Sequence, residues 1–224
     1  MDPSPSLPSP QLFSLAGQNV LITGATRGIG AACAIALAQA GASVCLLQRP
    51  GSTNLETYNA IAALGSTVKT VECDMADLVS VKAVFQKALD AMGGDIHVLV
   101  NCAGIQRRSP SLTFSEQDWD DGGLTVPAYA AAKGALGQLT KALSNEWSKE
   151  NVQVNGIVPG YIATDMNEKL LQDPVRLRQI SERIPAGRWG QPEDFAGPVV
   201  FLASKASQYV CGELLVVDGG WMGR

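Results

Sequence analysis

The sequence predicts an α/β fold, in which helices cover both faces of a doubly wound parallel sheet. Three observations carry this prediction. Short apolar runs alternate with helical stretches, the first run ends in a glycine-rich turn, and 46% of the 224 residues are hydrophobic, which suffices for one sizeable core. Strands that alternate with helices form parallel sheets, and their crossovers are right-handed. We therefore expect a single doubly wound domain.

The first half of the chain contains four predicted strands, each a short apolar run that ends in turn residues. They lie at residues 19–23, 43–47, 68–73 and 96–100. A helix after the first strand is expected to end near Ala40, before Gly41. A second helix is predicted over residues 55–64. A third has apolar residues at i, i+3, i+4 and i+7 from Val81 onward, with Asp77 as its N-cap.

The second half continues this alternation. A long helix is predicted over residues 128–149 and a strand over 152–158, followed by a mobile helical flap over 165–184. Pro192 is expected to start another helix at its first turn. The last predicted strand covers residues 214–217.

Composition limits the domain organisation and the partners. Residues 1–13 are rich in Pro and Ser and are expected to be a disordered tail, so that the folded domain spans residues 14–224.

The net charge is −4, with no basic cluster beyond Arg107-Arg108, which argues against nucleic-acid and anionic-membrane partners. Five scattered cysteines and one histidine predict reduced thiols and no metal site. Without a targeting or membrane segment, we expect a cytoplasmic protein.

The turn after the first strand is the strongest functional motif and runs from Thr23 to Gly30 as TGATRGIG. Glycines at 24, 28 and 30 permit a tight turn and a close approach of the backbone to a pyrophosphate. The helix N-terminus behind them supplies free N–H groups and a partial positive charge. Glycine turns are common, but the position between the first strand and the first helix favours a nucleotide site.

Polar residues follow the third and fourth strands, where Asp74 ends one and Asn101-Cys102-Ala103-Gly104 ends the other. Strand C-termini in such sheets form the ligand crevice. Taken alone, Asp74 and Asn101 would be interpreted as loop caps. Together with the glycine turn, they are predicted to contact the cofactor.

Tyr129 and Lys133 are four residues apart and therefore share a helix face. An ammonium group near a phenol favours the phenolate and lowers the tyrosine pKa from about 10. This would make Tyr129 a general acid or base near neutral pH. The alternative is a surface pair that happens to have helical spacing.

TGATRGIG, NCAG, YAAAK and PGYIAT occur in this order, and over residues 14–224 the chain resembles the short-chain dehydrogenase/reductase family, whose fold is of the Rossmann type. Two stretches, RRSPSLTFSEQDWDD and the C-terminal RIPAGRWGQPEDFAGPVVFLASKASQYVCGELLVVDGGW, especially resemble its 2-deoxy-D-gluconate 3-dehydrogenases and gluconate dehydrogenases. The resemblance implies an NAD(P)-dependent oxidoreductase that interconverts a secondary alcohol and a ketone on a sugar acid or a similar small carbonyl compound.

The resemblance also implies residue roles. Tyr129 would exchange the proton at the carbonyl, and Lys133 would lower its pKa and bind the nicotinamide ribose. Asp74 would meet the adenine, while Ile162 and Thr164 would hold the nicotinamide carboxamide. The residues expected to bind the cofactor are Gly24, Thr26, Arg27, Gly28, Ile29, Gly30, Arg49, Asp74, Asn101, Ala103, Tyr129, Lys133, Ile162 and Thr164.

Arginines bear on the choice of cofactor and on the substrate. An acidic residue at the end of the second strand would bind the ribose 2′-OH of NAD, but Gln48-Arg49-Pro50 stands there. Arg49 and Arg27 could both meet a 2′-phosphate, which favours NADP, with NAD as the alternative; both could equally be solvent-exposed. Arg107-Arg108 could bind a sugar-acid carboxylate or form a solvated pair.

A segment that the family possesses is absent between Asp121 and Gly122. The resemblance implies that about 40 residues are missing, the size of one helix–strand unit, and with them the serine that binds the substrate carbonyl. The sheet would then close with one strand fewer and displace Tyr129 by roughly 4.8 Å, one strand spacing. The resemblance also implies homo-oligomers that assemble through paired helices, one of which is cut here, so we expect oligomer formation to be impaired.

Three hypotheses follow from this gap. The chain is an oxidoreductase that retains activity, a folded dinucleotide-binding protein that has lost catalysis, or a truncated splice or gene-model product.

Overall fold

The structure is a computed structural model that describes residues 8–104 and 127–223. The strands of these ranges are β1 Asn19–Thr23, β2 Ser43–Gln48, β3 Val68–Glu72, β4 Val98–Asn101, β5 Gly156–Pro159 and β6 Leu214–Val217. The α-helices are α1 Ser9–Leu12, α2 Gly28–Gln39, α3 Glu56–Ala63, α4 Leu78–Ala91, α5 Pro127–Trp147, α6 Glu168–Leu171, α7 Pro174–Ser181 and α8 Ala196–Ala203.

The chain divides into two compact units. The first consists of Met1–Ala103, Tyr161–Ser207 and Gly219–Arg224, and the second of Gly104–Gly160 and Gln208–Asp218. Both contain parallel sheet, which confirms the predicted α/β class.

The sheet of the first unit has the strand order β3-β2-β1-β4, and its paired strands are parallel. Val20, Leu21 and Ile22 of β1 are almost completely buried, because a central strand of such a sheet is covered on both faces. The chain winds outward from β1 to β2 and β3, and then returns to β4 on the other side. This reversal creates a crevice at the carboxyl ends of β1 and β4, where ligands bind in doubly wound folds.

Helix α4 shows how local signals fix an element of this unit. The Asp77 carboxylate accepts hydrogen bonds from the backbone N–H groups of Val79, at 3.0 Å, and Ser80, at 3.2 Å. These are two of the donors that a helix leaves without an internal partner. Val84 and Ala88 on the apolar stripe are buried, so both the predicted N-cap and the predicted inner face are confirmed.

The expected tail of residues 1–13 is ordered in its described part. Ser9–Leu12 forms one helical turn, with Pro10 in the first turn, where its fixed φ suits a helix. Leu15 follows with 1% of its surface exposed, and its N–H donates to the carbonyl of Ala40 at 2.8 Å. The described residues 8–13 therefore contain one helical turn, and the disordered tail over residues 1–13 stays a prediction.

In the second unit, β5 and β6 pair in parallel, with Gly156 opposite Leu214. β5 was expected to begin at Val152, but it begins at Gly156. The reason lies in Asn155, whose side chain donates to the carbonyl of Val210 at 2.8 Å and accepts from the N–H of Glu213 at 2.9 Å. This side chain ties the preceding residues to a loop instead of to a strand.

Within the first unit β4 pairs with β1, and within the second unit β5 pairs with β6. That the sheet closes across the gap with one strand fewer stays a prediction. No helix within residues 8–104 and 127–223 is long and apolar enough to span a membrane.

Candidate functional site

The glycine turn begins at Gly24, where the backbone needs a glycine for two reasons. Its φ is +67°, in the left-handed region that side chains disfavour. A Cβ atom there would also lie 2.7 Å from the Cα of Ala103 and 2.8 Å from its nitrogen. The turn thus packs directly against the backbone that follows β4, which brings Gly24 and Ala103 together.

Gly28 and Gly30 have different surroundings. A Cβ on Gly30 would overlap the carbonyl oxygen of Gly24, so this glycine allows α2 to start close under the turn. Gly28 has φ +56°, but a Cβ there would meet only the Thr164 methyl group, at 3.6 Å. Space is therefore open above Gly28, while the turn below it is closely packed.

The backbone N–H groups at the N-terminus of α2 face the open space at Gly28, where they could donate to a ligand. Arg27 is the N-cap residue, and no side chain caps the helix. The first N–H groups of a helix lack internal partners and carry a partial positive charge. The turn from Thr26 through half-buried Ile29 to Gly30 therefore has the form of an anion-binding site.

Two side chains that the sequence analysis did not assign hold this turn. The Thr23 hydroxyl accepts hydrogen bonds from the N–H groups of Cys102, at 3.1 Å, and Ala103, at 3.0 Å. The Asn54 amide donates to the carbonyl of Thr26 at 3.1 Å. A polar residue that ends an apolar strand was the available signal for Thr23, whereas Asn54 offered none because its contact spans 28 residues.

Ile162 and Thr164, predicted to bind the nicotinamide end, lie in the first unit, and Thr164 lies beside Gly28. The Ile162 side chain is 4% exposed, and its carbonyl accepts from the Asn167 amide at 2.9 Å. Ile162 also forms an isolated parallel bridge with Gly190. Its backbone is therefore held on both sides.

Arg188 and Asp194 support the loop that carries this bridge. Two guanidinium nitrogens of Arg188 contact the two carboxylate oxygens of Asp194, at 2.7 and 2.8 Å. The Asp194 carboxylate also accepts from the N–H of Gln191 at 2.7 Å. The hydrogen bond from Arg188, followed by that from Gln191, lowers the pKa of Asp194 to about 2. The loop around Gly190 is thus fixed by a charge-assisted bidentate pair.

The two arginines expected near a 2′-phosphate differ in their contacts. The Arg27 guanidinium lies 3.3 Å from the Asp165 carboxylate, in a pair of which both members are about 70% exposed. Such surface pairs contribute at most about 1 kcal/mol, so Arg27 can exchange this partner for a phosphate. Arg49 is exposed, and its guanidinium has no ionic partner within residues 8–104 and 127–223.

Asp74 and Asn101 are both exposed at the carboxyl ends of their strands. One oxygen of the Asp74 carboxylate accepts from the N–H of Ala76 at 3.0 Å, so Asp74 does cap its own loop. Asn101 stands opposite Thr23 at the end of the β1–β4 pair. Both positions face the predicted crevice edge, and their contacts with a cofactor remain predictions.

Tyr129 and Lys133 lie in the second unit, on the first turns of α5. The Lys133 ammonium group lies over the Tyr129 ring, 5.3 Å from its centroid. The predicted pairing on one helix face is therefore formed, with Tyr129 half-buried and Lys133 exposed. Arg107, Arg108 and the Asp121–Gly122 junction lie outside the described residues.

Buried thiols near the sheet have no acid–base role. Burial, followed by the influence of Cys102, raises the pKa of Cys33 to about 12, and burial raises that of Cys45 to about 11. These thiols stay protonated at neutral pH and act as apolar side chains.

No group of three or more His, Cys, Asp or Glu within residues 8–104 and 127–223 could hold a metal ion.

Comparison with known proteins identifies the family. A 2-dehydro-3-deoxy-D-gluconate 5-dehydrogenase of Pseudoalteromonas atlantica is 42% identical over 254 residues, which cover 95% of this chain and 98% of the relative. The chain belongs to the short-chain dehydrogenase/reductase family. The sequence model described as short chain dehydrogenase matches residues 18–123, and that described as enoyl-(acyl carrier protein) reductase matches residues 122–222.

Further members of the family confirm the fold. A gluconate 5-dehydrogenase of Gluconobacter oxydans is 36% identical and covers 94% of this chain and 97% of the relative. The crystal structure of a gluconate 5-dehydrogenase from Burkholderia cenocepacia, in complex with NADP and tartrate, has a TM-score of 0.89 and 33% identity. It covers 96% of this chain and 99% of that chain. The resemblance drawn from the motifs is therefore confirmed.

The comparison also supports an internal gap in this dehydrogenase chain. Because 95% of 224 residues is about 213 residues, the 254 positions aligned with the Pseudoalteromonas relative leave about 40 positions without a counterpart here. The two family matches meet at residues 122 and 123. Both findings agree with the segment predicted to be absent between Asp121 and Gly122.

Proposed function

We propose that this protein is an NADP-dependent dehydrogenase that interconverts the secondary alcohol and the ketone of a sugar acid. The observation that carries the proposal is the turn between β1 and α2. Gly24 and Gly30 are packed against backbone, whereas Gly28 opens onto space beside Thr164, and the helix N-terminus behind them is uncapped. This arrangement suits a pyrophosphate, which needs backbone donors and room for close approach.

The residues present fit a dinucleotide along its length. Gly28 and Ile29 would donate backbone hydrogen bonds to the pyrophosphate, Asp74 and Asn101 lie at the crevice edge, and Ile162 and Thr164 would hold the nicotinamide carboxamide. When bound, the nicotinamide supplies or accepts the hydride. NADP is favoured over NAD because two exposed guanidinium groups, of Arg27 and Arg49, lie near the turn and the end of β2, and the Burkholderia relative binds NADP.

Tyr129 is proposed to exchange the proton at the substrate oxygen. The Lys133 ammonium group lies over the Tyr129 ring, 5.3 Å from its centroid, so the two side chains are held together on one helix face. Lys133 would also hold the nicotinamide ribose. In this mechanism the chain orients the carbonyl and moves the proton at the Tyr129 oxygen.

The substrate class rests on the relatives, which are named for 2-dehydro-3-deoxy-D-gluconate and gluconate. We infer a small-molecule substrate, with neither nucleic acid nor membrane as a partner. The cysteines of the described residues form no disulfide with one another, which favours a reducing, cytoplasmic location. The alternative of a dinucleotide-binding protein without catalysis finds no support in the comparisons, because the relatives described above are dehydrogenases.

The decisive experiment measures oxidation of NADPH with the keto forms of gluconate and deoxygluconate. We expect turnover that is lost in Tyr129→Phe and retained in Tyr209→Phe, since Tyr209 is fully exposed. Saturable binding of NADPH, tighter than that of NADH, is expected by fluorescence titration. A folded chain that binds neither dinucleotide, or turnover that Tyr129→Phe leaves unchanged, would contradict the proposal.

Insertion of the Pseudoalteromonas segment between Asp121 and Gly122 tests the effect of the gap on the same activity. The family's serine would return with it, and one such hydrogen-bond donor is typically worth about 10²–10³ in rate. We therefore expect faster turnover in the extended chain. Equal rates would show that the shortened chain already supplies an equivalent donor.

A further inference from the structure

A pocket of about 340 Å³ lies in the first unit. Its lining contains no residue of the glycine turn. One wall consists of Arg176, Gln179, Ile180 and Arg183. These residues follow the i, i+3, i+4, i+7 pattern and so share one face of α7 and its continuation. Ile180 is 4% exposed and forms the apolar floor, while the two arginines and the glutamine are exposed above it.

The rest of the lining includes the aromatic side chains of Tyr161 and Trp221. The rings of Tyr161 and Trp221 meet edge to face with their centroids 4.7 Å apart, and Tyr161 makes a similar contact of 5.4 Å with Trp189. The Trp189 indole N–H donates to the Ser181 hydroxyl at 3.1 Å, which ties this cluster to α7. The Arg183 guanidinium lies 4.2 Å from the Trp221 centroid. Ring surface and positive charge therefore stand side by side.

The charges of the pocket favour an anion. Arg176 and Arg183 contribute two positive charges, and Glu182 contributes one negative charge. The Glu182 carboxylate, however, is paired with Arg178 at 3.7 Å. Arg176 donates to the Gln179 side chain from one nitrogen, at a long 3.4 Å, so that its planar fork can still bind a carboxylate in bidentate fashion.

The pocket also lies close to the expected end of the cofactor. Tyr161 is three residues before Thr164, and three residues span at most roughly 10 Å of extended chain. Thr164 in turn lies beside Gly28 of the glycine turn. A six-carbon acid whose ketone faces the nicotinamide could therefore extend its carboxylate into this pocket.

We propose that this pocket binds the carboxylate end of the sugar-acid substrate. Arg176 and Arg183 bind the carboxylate, and the Trp221 and Tyr161 rings contact the C–H groups of the polyol chain, as aromatic side chains do in sites that combine apolar and polar surfaces. The identity of the acid rests on the proposed function. The pocket residues select a carboxylate over a neutral polyol.

The test measures binding of potassium gluconate and of sorbitol by isothermal titration calorimetry, because sorbitol has the same carbon chain without the carboxylate. We expect gluconate to bind the unmodified chain and sorbitol to bind at least about tenfold more weakly. Arg176→Gln and Arg183→Gln should each weaken gluconate binding roughly ten- to a hundredfold, as expected for a hydrogen bond between charged groups. Potassium chloride at matched ionic strength controls for unspecific anion binding.

Lys169→Gln is the charge-matched control, because it removes one positive charge from an exposed side chain of α6 that does not line the pocket. It should change gluconate affinity by less than about threefold. Circular dichroism checks that each variant is folded, and Arg176→Gln alone decides the test if Arg183→Gln unfolds. Equal binding of gluconate and sorbitol, or equal losses in Arg176→Gln and Lys169→Gln, would overturn the proposal.

Turnover separates this inference from the proposed function. With an active chain, Arg176→Gln should raise KM for the sugar-acid ketone and leave kcat unchanged. A chain that turns over no ketone but binds gluconate through Arg176 would refute the dehydrogenase activity and retain the pocket. An active chain whose KM is unchanged by Arg176→Gln would support the dehydrogenase activity and refute the role of the pocket.

Discussion

Gly24 and Gly28 both have a positive φ, but only Gly24 is packed against other backbone. Replacement by alanine forces either residue to hold a side chain in the left-handed region, at a cost of about 1–2 kcal/mol. At Gly28, the new methyl group would meet only the Thr164 methyl, at an ordinary 3.6 Å. At Gly24, it would lie 2.7 Å from the Cα of Ala103, which no side-chain rotation can relieve.

The clash at Gly24 adds to the cost of the backbone conformation. Forcing an extra methyl group into a packed site typically costs about 1–3 kcal/mol. Displacement of Ala103 would also weaken its 3.0 Å hydrogen bond to the Thr23 hydroxyl. We therefore expect Gly24→Ala to lower the free energy of unfolding by about 2–5 kcal/mol and Gly28→Ala by about 1–2 kcal/mol.

Urea unfolding followed by circular dichroism measures both values, and NADPH titration on the folded variants separates stability from binding. The methyl group of Gly28→Ala points into the space proposed for the pyrophosphate, so this variant should bind NADPH about tenfold more weakly or worse. An equal loss of stability in the two variants would refute the packing argument. Unchanged NADPH affinity in Gly28→Ala would refute the placement of the pyrophosphate.

Three further outcomes are expected from single features of the structure. Thr23→Val should lower the free energy of unfolding by about 1–3 kcal/mol, because two backbone donors lose their acceptor. Thr23→Ser keeps the hydroxyl and should retain most of this stability; urea unfolding measures both variants. The pKa of Asp194 is lowered to about 2, first by its bond to Arg188 and then by that from Gln191, so its stabilisation is present above about pH 4 and is lost as the pH falls through 2; Asp194→Asn should therefore lower the melting temperature at pH 7 and much less at pH 2. The gap is expected to impair oligomer formation, and the half-exposed Leu136 and Leu139 of α5 favour aggregation; light scattering should therefore show monomer or aggregate, and a stable tetramer would contradict this.

Elements bounded by local signals could be predicted from the sequence. β1 and β6 have the predicted ends because their apolar runs stop at turn residues, and α4 begins after its predicted cap. The start of β5 could not be predicted. Residues 152–155 continue its alternation of apolar and polar side chains, but Asn155 bonds to residues more than 50 positions away. Long-range contacts of this kind leave no periodic pattern in the chain.

The candidate site shows the same division. The sequence predicted that glycine is required at 24, 28 and 30. It did not predict that a Cβ at Gly24 would collide with the backbone of Ala103, or that a Cβ at Gly28 would enter open space. Nor did it predict that Arg27 pairs with Asp165 across 138 residues. Residue types at a turn follow from local geometry, whereas the partner of each residue depends on how distant segments pack.

The gap between Asp121 and Gly122 separates two properties that other members of the family have together. The groups of the dinucleotide turn precede the gap or follow residue 160, and they contact one another within the first unit. The Tyr129–Lys133 pair persists because helical spacing alone fixes it. The segment that the resemblance implies to be missing is therefore expected to remove neither the turn nor the pair, but the donor at the carbonyl and the strand that would place that donor. Changes at the gap should accordingly alter kcat while leaving NADPH affinity unchanged.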